Sequence, residues 1–301
     1  MKNINNYMIG KLSVFVPAHI TGFFEIIPND NPVLKGSKGA GIALDEGVVT
    51  ETIVKEGSGN LFVTVNGKEE LLNTISGSAV NIIKKRYNLD LDNFDIFIYH
   101  ETVLPISAGF GTSAGFALGI SFTLPQILGI DLSFNEAGEI AHLTEIQESS
   151  GLGDVISEMY GGCVIRIKEG SPVNAKIDKI PITKPIYVIT KTLSSLNTSD
   201  IIENPTYQKR INDSGHKLLE EILKNSSIEN FIKLSRKFSE DAKLISPELY
   251  EILNIMDEEC IGSSMAMLGN TAFGLSYTPD TSIENTIITK INNTGIKYKK
   301  Q

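Results

Sequence analysis

The run Pro105-Ile-Ser107-Ala108-Gly109-Phe-Gly111-Thr112-Ser113-Ala114-Gly115 concentrates glycines and hydroxyls where a strand pattern gives way to the most apolar stretch of the chain. Glycines let successive backbone N–H groups turn toward one concavity, and a helix N-terminus adds roughly half a positive charge, so the segment suits an anion such as a phosphate. Ser113 could then reach a metal ion bridging phosphates. The competing reading is a Gly-containing loop with a Ser or Thr cap and nothing bound. No G-x-x-x-x-G-K-[ST] occurs, which excludes a P-loop. Gly109-Phe-Gly111-Thr-Ser-Ala114 does satisfy a loose dinucleotide pattern. However, Pro105 to Ala108 separate it from its strand, and Asp131 leads into a helix, so a Rossmann unit is poorly supported.

A second group is Glu145-Ile-Gln-Glu148-Ser-Ser-Gly151-Leu152-Gly153-Asp154. Glu145 falls late on a helix, two glycines permit a reversal, and Asp154 opens the next short helix, whose N-terminus favours an ionised carboxylate. One acid could hold a metal and the other face a hydroxyl; a solvated helix face and a plain N-cap are the alternatives. His19 follows Pro17 in a strand that turns there, and a lone His on an apolar face is usually a satisfied core residue. Lys38, within Gly36-Ser37-Lys38-Gly39-Ala40-Gly41, sits among small residues that leave it open to an anion or form a bare flexible loop. Glu139-Ile-Ala-His142 has the spacing of one arm of a di-iron bundle, but no second Glu-x-x-His exists.

The elements that must position these groups follow from periodicity. Leu12 to Val16, Gly47 to Lys55 and Leu61 to Val65 read as strands, Leu71 to Tyr87 as a helix, and Phe94 to Tyr99 as a strand. Ser113 to Leu128 reads as a buried helix. Ser133 to Glu148 is an amphipathic one, with Ser133 and Glu136 forming a capping box. Gly161 to Ile167 and Ile186 to Thr192 are strands. They flank a stretch containing Pro172, Pro181 and Pro185 that puts a domain boundary near residue 180, giving domains 1–180 and 181–301. Helices follow at about Asn204 to Lys224, Ile228 to Leu244 and Pro247 to Glu258. A strand pair across Met265 to Tyr277, a short helix and a terminal strand complete an α+β pattern.

The whole-chain balance narrows the partners. With 301 residues, 27 Lys and Arg against 36 Asp and Glu, a net charge of -9 and no Trp, the chain has neither the basic stripe nor the stacking platforms that nucleic acid needs. Cys163 and Cys260 have no metal-ligand spacing and imply neither a zinc site nor a disulfide framework. Ala114 to Leu124 is far short of the ~20 residues of a membrane span. No export signal is visible, so a cytoplasmic protein with no membrane partner is expected.

Taken together, these residues resemble the GHMP small-molecule kinases, and the resemblance runs along the whole chain. Pro105 to Ala114 is similar to the family motif P-x-x-x-G-L-G-S-S-A, with Phe110 for Leu and Thr112 for the first Ser. Met265 to Gly274 resembles the glycine-containing turn of the third motif. Pro17-Ala18-His19 stands at the first motif, with Ala18 replacing a Gly. Gly36 to Gly41 is similar to the G-S-R-G-A-G of the archaeal members that act on pantoate, with Lys38 for Arg. The resemblance implies a two-domain architecture, an N-terminal domain like ribosomal protein S5 domain 2 and a ferredoxin-like C-terminal domain. It further implies ATP and Mg²⁺ as cofactors and transfer of a phosphoryl group to an alcohol, with pantoate as the acceptor and coenzyme A biosynthesis as the context. Mevalonate or another acceptor, a nucleotide-binding oxidoreductase and a silent binding protein are the alternatives, and a homodimer is left open.

On the same basis Pro105, Ser107, Ala108, Gly109, Gly111, Thr112, Ser113 and Ala114 are expected around the ATP phosphates, and Ser113 and Glu145 on the metal. Asp154 is expected to deprotonate the acceptor, with His19 beside it. His19, Ser37, Lys38, Gly39, Asn270 and Thr271 are expected on the acceptor.

Overall fold

The computed structural model describes residues 9–69, 75–194 and 205–299. Two long strands dominate the first sheet: β1 (Gly10–Ile27) and β2 (Gly36–Glu56), paired antiparallel from Gly10↔Val54 to Ile27↔Gly36. Pro17 does not end β1. The ladder shifts register between Pro17 and His19, which accommodates a residue with no N–H to donate, and the strand runs on. Gly36 to Gly41 is likewise strand rather than flexible loop. Gly41 packs against the His19 ring and Gly39 against the Phe23 carbonyl, approaches too close for any side chain. Glycine there marks contact between backbones, a role composition does not distinguish from a loop.

β2 has a different partner at each end. Its C-terminal half pairs with β5 (Phe94–Glu101) and its N-terminal end with β6 (Cys163–Lys168). β3 (Leu61–Val65) lies parallel to β5 and pairs with β4 (Lys68–Glu69). β7 (Lys176–Ile180) pairs with β6, and β12 (Lys297–Tyr298) with β1. Beneath this sheet pack α1 (Ile75–Tyr87), α2 (Thr112–Ile127) and α3 (Phe134–Gln147). α2 is buried almost throughout, and α3 has the expected capping box of Ser133 and Glu136. The short α4 (Asp154–Tyr160) leads into β6.

A second antiparallel sheet has the order β11-β8-β10-β9, from β8 (Tyr187–Ser194), β9 (Gly262–Met265), β10 (Asn270–Ser276) and β11 (Ile287–Lys290). Three helices accompany it: α5 (Pro205–Lys224), α6 (Ile228–Ala242) and α7 (Pro247–Glu259). Where a short helix is expected before the terminal strand, the chain forms β11, because Ile287 and Ile288 extend along β8. Residues 71–74 and Asn204, the expected starts of two helices, lie outside the described residues.

One apolar core joins the two sheets. Ile20, Phe23 and Phe24 of β1 pack with Phe231 and Phe238 of α6 and Phe273 of β10. The result is a mixed α+β architecture, largely antiparallel, and not the parallel doubly wound sheet of a Rossmann unit. No helix among the described residues is long and apolar enough to cross a membrane.

Candidate active site

The loop between β5 and α2 adopts the conformation its glycines allow. Gly109 has φ 88° and Gly111 φ 67°, and Ser107 also enters the left-handed region at φ 59°. Gly111 occupies the N-cap of α2 and no side chain caps the helix, so the positive end of α2 opens onto a cleft of about 460 Å³. The loop is held from behind. The Thr271 hydroxyl donates to the Ala108 carbonyl at 2.8 Å, the His19 N–H donates to the Phe110 carbonyl at 3.0 Å, and the Phe110 ring is buried in the core. Ser107, Gly109, Gly111, Thr112 and Ser113 line the cleft. Ala108 and Ala114 are buried behind this surface, and Pro105 stands outside it, so these three shape the loop without facing the cleft.

The opposite wall carries the acids. Glu145, on the last turn of α3, is buried and accepts a hydrogen bond from the Ser150 hydroxyl at 2.7 Å. Burial, opposed by that bond and reinforced by the charge of Asp154, pushes its carboxyl up to about 8. Gly151 makes room for it, since a methyl group there would overlap Glu145 Oε2. Ser113 and Glu145 thus bring a hydroxyl and a carboxyl to one cleft, oxygen groups of the kind Mg²⁺ takes when phosphates complete its shell, with the Glu145 carboxyl giving up its proton when a cation arrives. The uncapped glycine cradle beside them fits the phosphates themselves.

Asp154, first residue of α4, is one-quarter exposed. His19 Nδ1 lies 2.7 Å from its Oδ1, and the Thr21 hydroxyl donates to the same oxygen at 3.3 Å. Burial raises the Asp154 carboxyl, but the His19 hydrogen bond, the neighbouring positive charge and the Thr21 bond outweigh it and hold the group below its ordinary range. The side chain is therefore an ionised acceptor at neutral pH. His19 has no exposed surface, and burial depresses its ring in spite of Asp154. A neutral ring donating Nδ1–H to Asp154 satisfies both observations. Its Nε2 lies against Gly41 with no partner among the described residues. His19 consequently orients Asp154 from behind and does not line the cleft.

The acceptor-side expectations divide. Ser37 lines the cleft and donates to the Leu152 carbonyl at 3.3 Å. Lys38, its neighbour on β2, points to the other face as strand alternation requires and pairs with Glu25 at 3.0 Å. Gly39 packs on β1. Asn270 bonds Ser194, and Thr271 is spent on the loop, so neither reaches the cleft. The cation that does is Arg166 of β6, the only Lys or Arg among the residues lining the cleft. It is 1% exposed and donates through Nη1 to Ser157 at 3.0 Å, while its Nε has no partner among the described residues. Burial, opposed by Asp154, lowers its guanidinium to about 10, which leaves it charged at neutral pH. Sequence reading missed Arg166, Thr21 and Ser150. An arginine between Ile165 and Ile167, in a strand otherwise apolar up to its terminal Lys168, was the available signal for the first.

A cradle for phosphates, two oxygen donors for a cation, an ionised carboxylate and a buried guanidinium together provide the positioning and charge neutralisation that phosphoryl transfer to an alcohol requires. The family model described as GHMP kinases N terminal domain matches residues 73–162. The chain is 36% identical over 263 residues to a pantoate kinase of Methanocaldococcus jannaschii, covering 87% of this chain and 92% of that protein. It is 33% identical to a pantoate kinase of Thermococcus kodakarensis, covering 88% and 87%. A solved structure described as a phosphotransferase related to the CoA biosynthesis pathway superposes with a TM-score of 0.84 at 27% identity, covering 96% of this chain and 99% of that one. The mevalonate kinase of Methanococcus jannaschii superposes with a TM-score of 0.68 at 17% identity, covering 95% and 99%, a likeness of fold alone.

Proposed function

The chain belongs to the GHMP kinase family, and from that premise we propose that it is an ATP-dependent pantoate kinase acting in coenzyme A biosynthesis. The acceptor's primary hydroxyl attacks the γ-phosphorus, the bond from that phosphorus to the β,γ-bridging oxygen breaks, and 4-phosphopantoate and ADP leave. The observation that carries this reading is a single cleft in which ionised Asp154 and Arg166 face the uncapped start of α2.

The loop from Gly109 to Ser113 binds the phosphates through backbone N–H groups and the helix N-terminus. Asp154 orients the hydroxyl and takes its proton, and His19 and Thr21 fix which carboxylate oxygen remains free for this, since both bond Oδ1. Arg166, with Ser37 on the adjacent strand, takes the acceptor's carboxylate; a planar fork suits that group. Ser113 and Glu145 would hold Mg²⁺, which when bound neutralises charge developing on the phosphates. Residues 1–180 supply nearly all of these groups, and 181–301 brace the loop through Thr271. A reaction that consumes ATP in this pathway accords with a cytoplasmic location.

The test is ADP release with ATP and Mg²⁺ across pantoate, mevalonate, homoserine and galactose. Pantoate should have the highest kcat/KM. A higher value for mevalonate or homoserine would overturn the acceptor assignment and leave the kinase assignment standing. No ADP release with any acceptor would overturn both.

A further inference from the structure

Asp154 and Glu158 lie one helical turn apart on α4, on a common face. Asp154 reaches the cleft, whereas Glu158 is wholly buried, and neither carboxyl oxygen has a hydrogen-bond partner among the described residues. Its location is specific. A methyl group on Gly111 would lie 2.2 Å from Glu158 Oε1, and one on Gly115 would lie 3.8 Å from Oε2. The carboxyl therefore fills the space that the missing side chain of Gly111 leaves, at the left-handed kink where the loop becomes α2. Burial, with the neighbouring acids Asp154 and Glu145, raises the Glu158 carboxyl well above its ordinary range. A shift in that direction lessens the negative charge that an anion bound over the loop would meet. Fold stability alone favours an apolar side chain in a buried site without hydrogen-bond partners. An unpaired acid kept against the one glycine that must adopt this kink thus points to service of the loop.

We propose that Glu158 is a positioning residue for nucleotide binding, its carboxyl seated in the hollow beneath Gly111 and holding the phosphate loop in the shape that receives the anion. The inference rests on the proposed ATP site, and the measurements separate the two. Binding of ATP with Mg²⁺, in the absence of acceptor, is followed by titration calorimetry in the full chain, with thermal unfolding recorded for each variant.

Glu158→Ala empties the hollow and should raise Kd and KM for ATP about tenfold while kcat and KM for pantoate stay within about threefold, the split expected of ground-state binding lost. Glu158→Gln keeps the shape without charge and should stay within about twofold of wild type by the same measure. Glu158→Asp keeps the acid but withdraws it by one methylene, so it should weaken ATP as the alanine variant does, and it carries the test should Glu158→Ala not fold. Gly111→Ala, whose new methyl group meets Oε1, should lose less affinity in the Glu158→Ala background than in wild type, a coupling that independent sites do not give. Wild-type affinity in Glu158→Ala and Glu158→Asp, a loss in Glu158→Gln equal to that in Glu158→Ala, or simple additivity with Gly111→Ala would each overturn the inference alone. No ATP binding by wild type would overturn the underlying reading and the inference with it.

Discussion

Asp154 stays charged in a largely buried position because His19 Nδ1 and Thr21 Oγ1 converge on its Oδ1 and leave Oδ2 outside those bonds. Asp154→Asn removes the proposed base and keeps the shape, so kcat should fall by ~10² or more while ATP affinity changes little. Rapid-quench single-turnover rates beside calorimetric Kd values check this, and a twofold loss of rate would reduce Asp154 to a helix-start residue. Arg166 and Lys38 make an opposed pair of tests. Arg166→Lys keeps charge but loses the fork, and should raise KM for pantoate roughly tenfold to a hundredfold with KM for ATP nearly unchanged, the scale of hydrogen bonds to charged groups. Lys38→Ala removes a pair with Glu25 on the far face of β2 and should leave KM for pantoate within about twofold, its effect being a stability loss of about 1 kcal/mol or less. Steady-state kinetics on both variants would show an inverted assignment at once if Lys38 proved the stronger. Much of the candidate cleft was legible in the chain, because the glycines and hydroxyls of Gly109 to Ser113 and the acids Glu145 and Asp154, singled out by type and spacing, line it together. His19 and Lys38 misled for a physical reason. Sequence gives the charge a side chain can carry, but burial decided that His19 is neutral, and strand alternation decided which face Lys38 takes.

Where elements meet, β5 is tied to β2 and α1 through one buried imidazole: His100 Nδ1 lies 2.8 Å from Thr50 Oγ1 and its Nε2 3.1 Å from Ser76 Oγ. Burial lowers the ring to about 3 from an unfolded value near 6.5. Between those limits the unfolded chain binds a proton that the folded chain refuses, so stability rises with pH across the window and is lost as pH falls below about 6.5. For one group the slope approaches ~1.4 kcal/mol per pH unit. Urea midpoints at pH 4.5, 5.5 and 7 should therefore fall more steeply toward acid in wild type than in His100→Gln; equal slopes would sink the assignment. At this scale the helices α2 and α3 were readable from their apolar runs and from the Ser133 cap. The true lengths of β1 and β2 were not, since Pro17 and the glycines of Gly36 to Gly41 punctuate loops elsewhere, and only a register shift and close backbone contact turn them into strand here.

Across the whole molecule the two sheets share one core, with Phe23 and Phe24 of β1 against Phe231 and Phe238 of α6. A fragment of residues 1–180 would expose that apolar face, so it should aggregate or lack protease-resistant structure when expressed alone. A cooperative thermal transition of the isolated fragment would contradict this and make the halves independent folding units. The pairing of β12 with Val14 and Phe15 of β1 adds a question of timing. These two segments are separated by about 280 residues of chain, which at ~5–20 residues per second of synthesis puts β12 roughly 14 to 56 seconds behind its partner. During translation the outer edge of β1 waits bare for that interval, inviting chaperones or a neighbouring nascent chain to occupy it first.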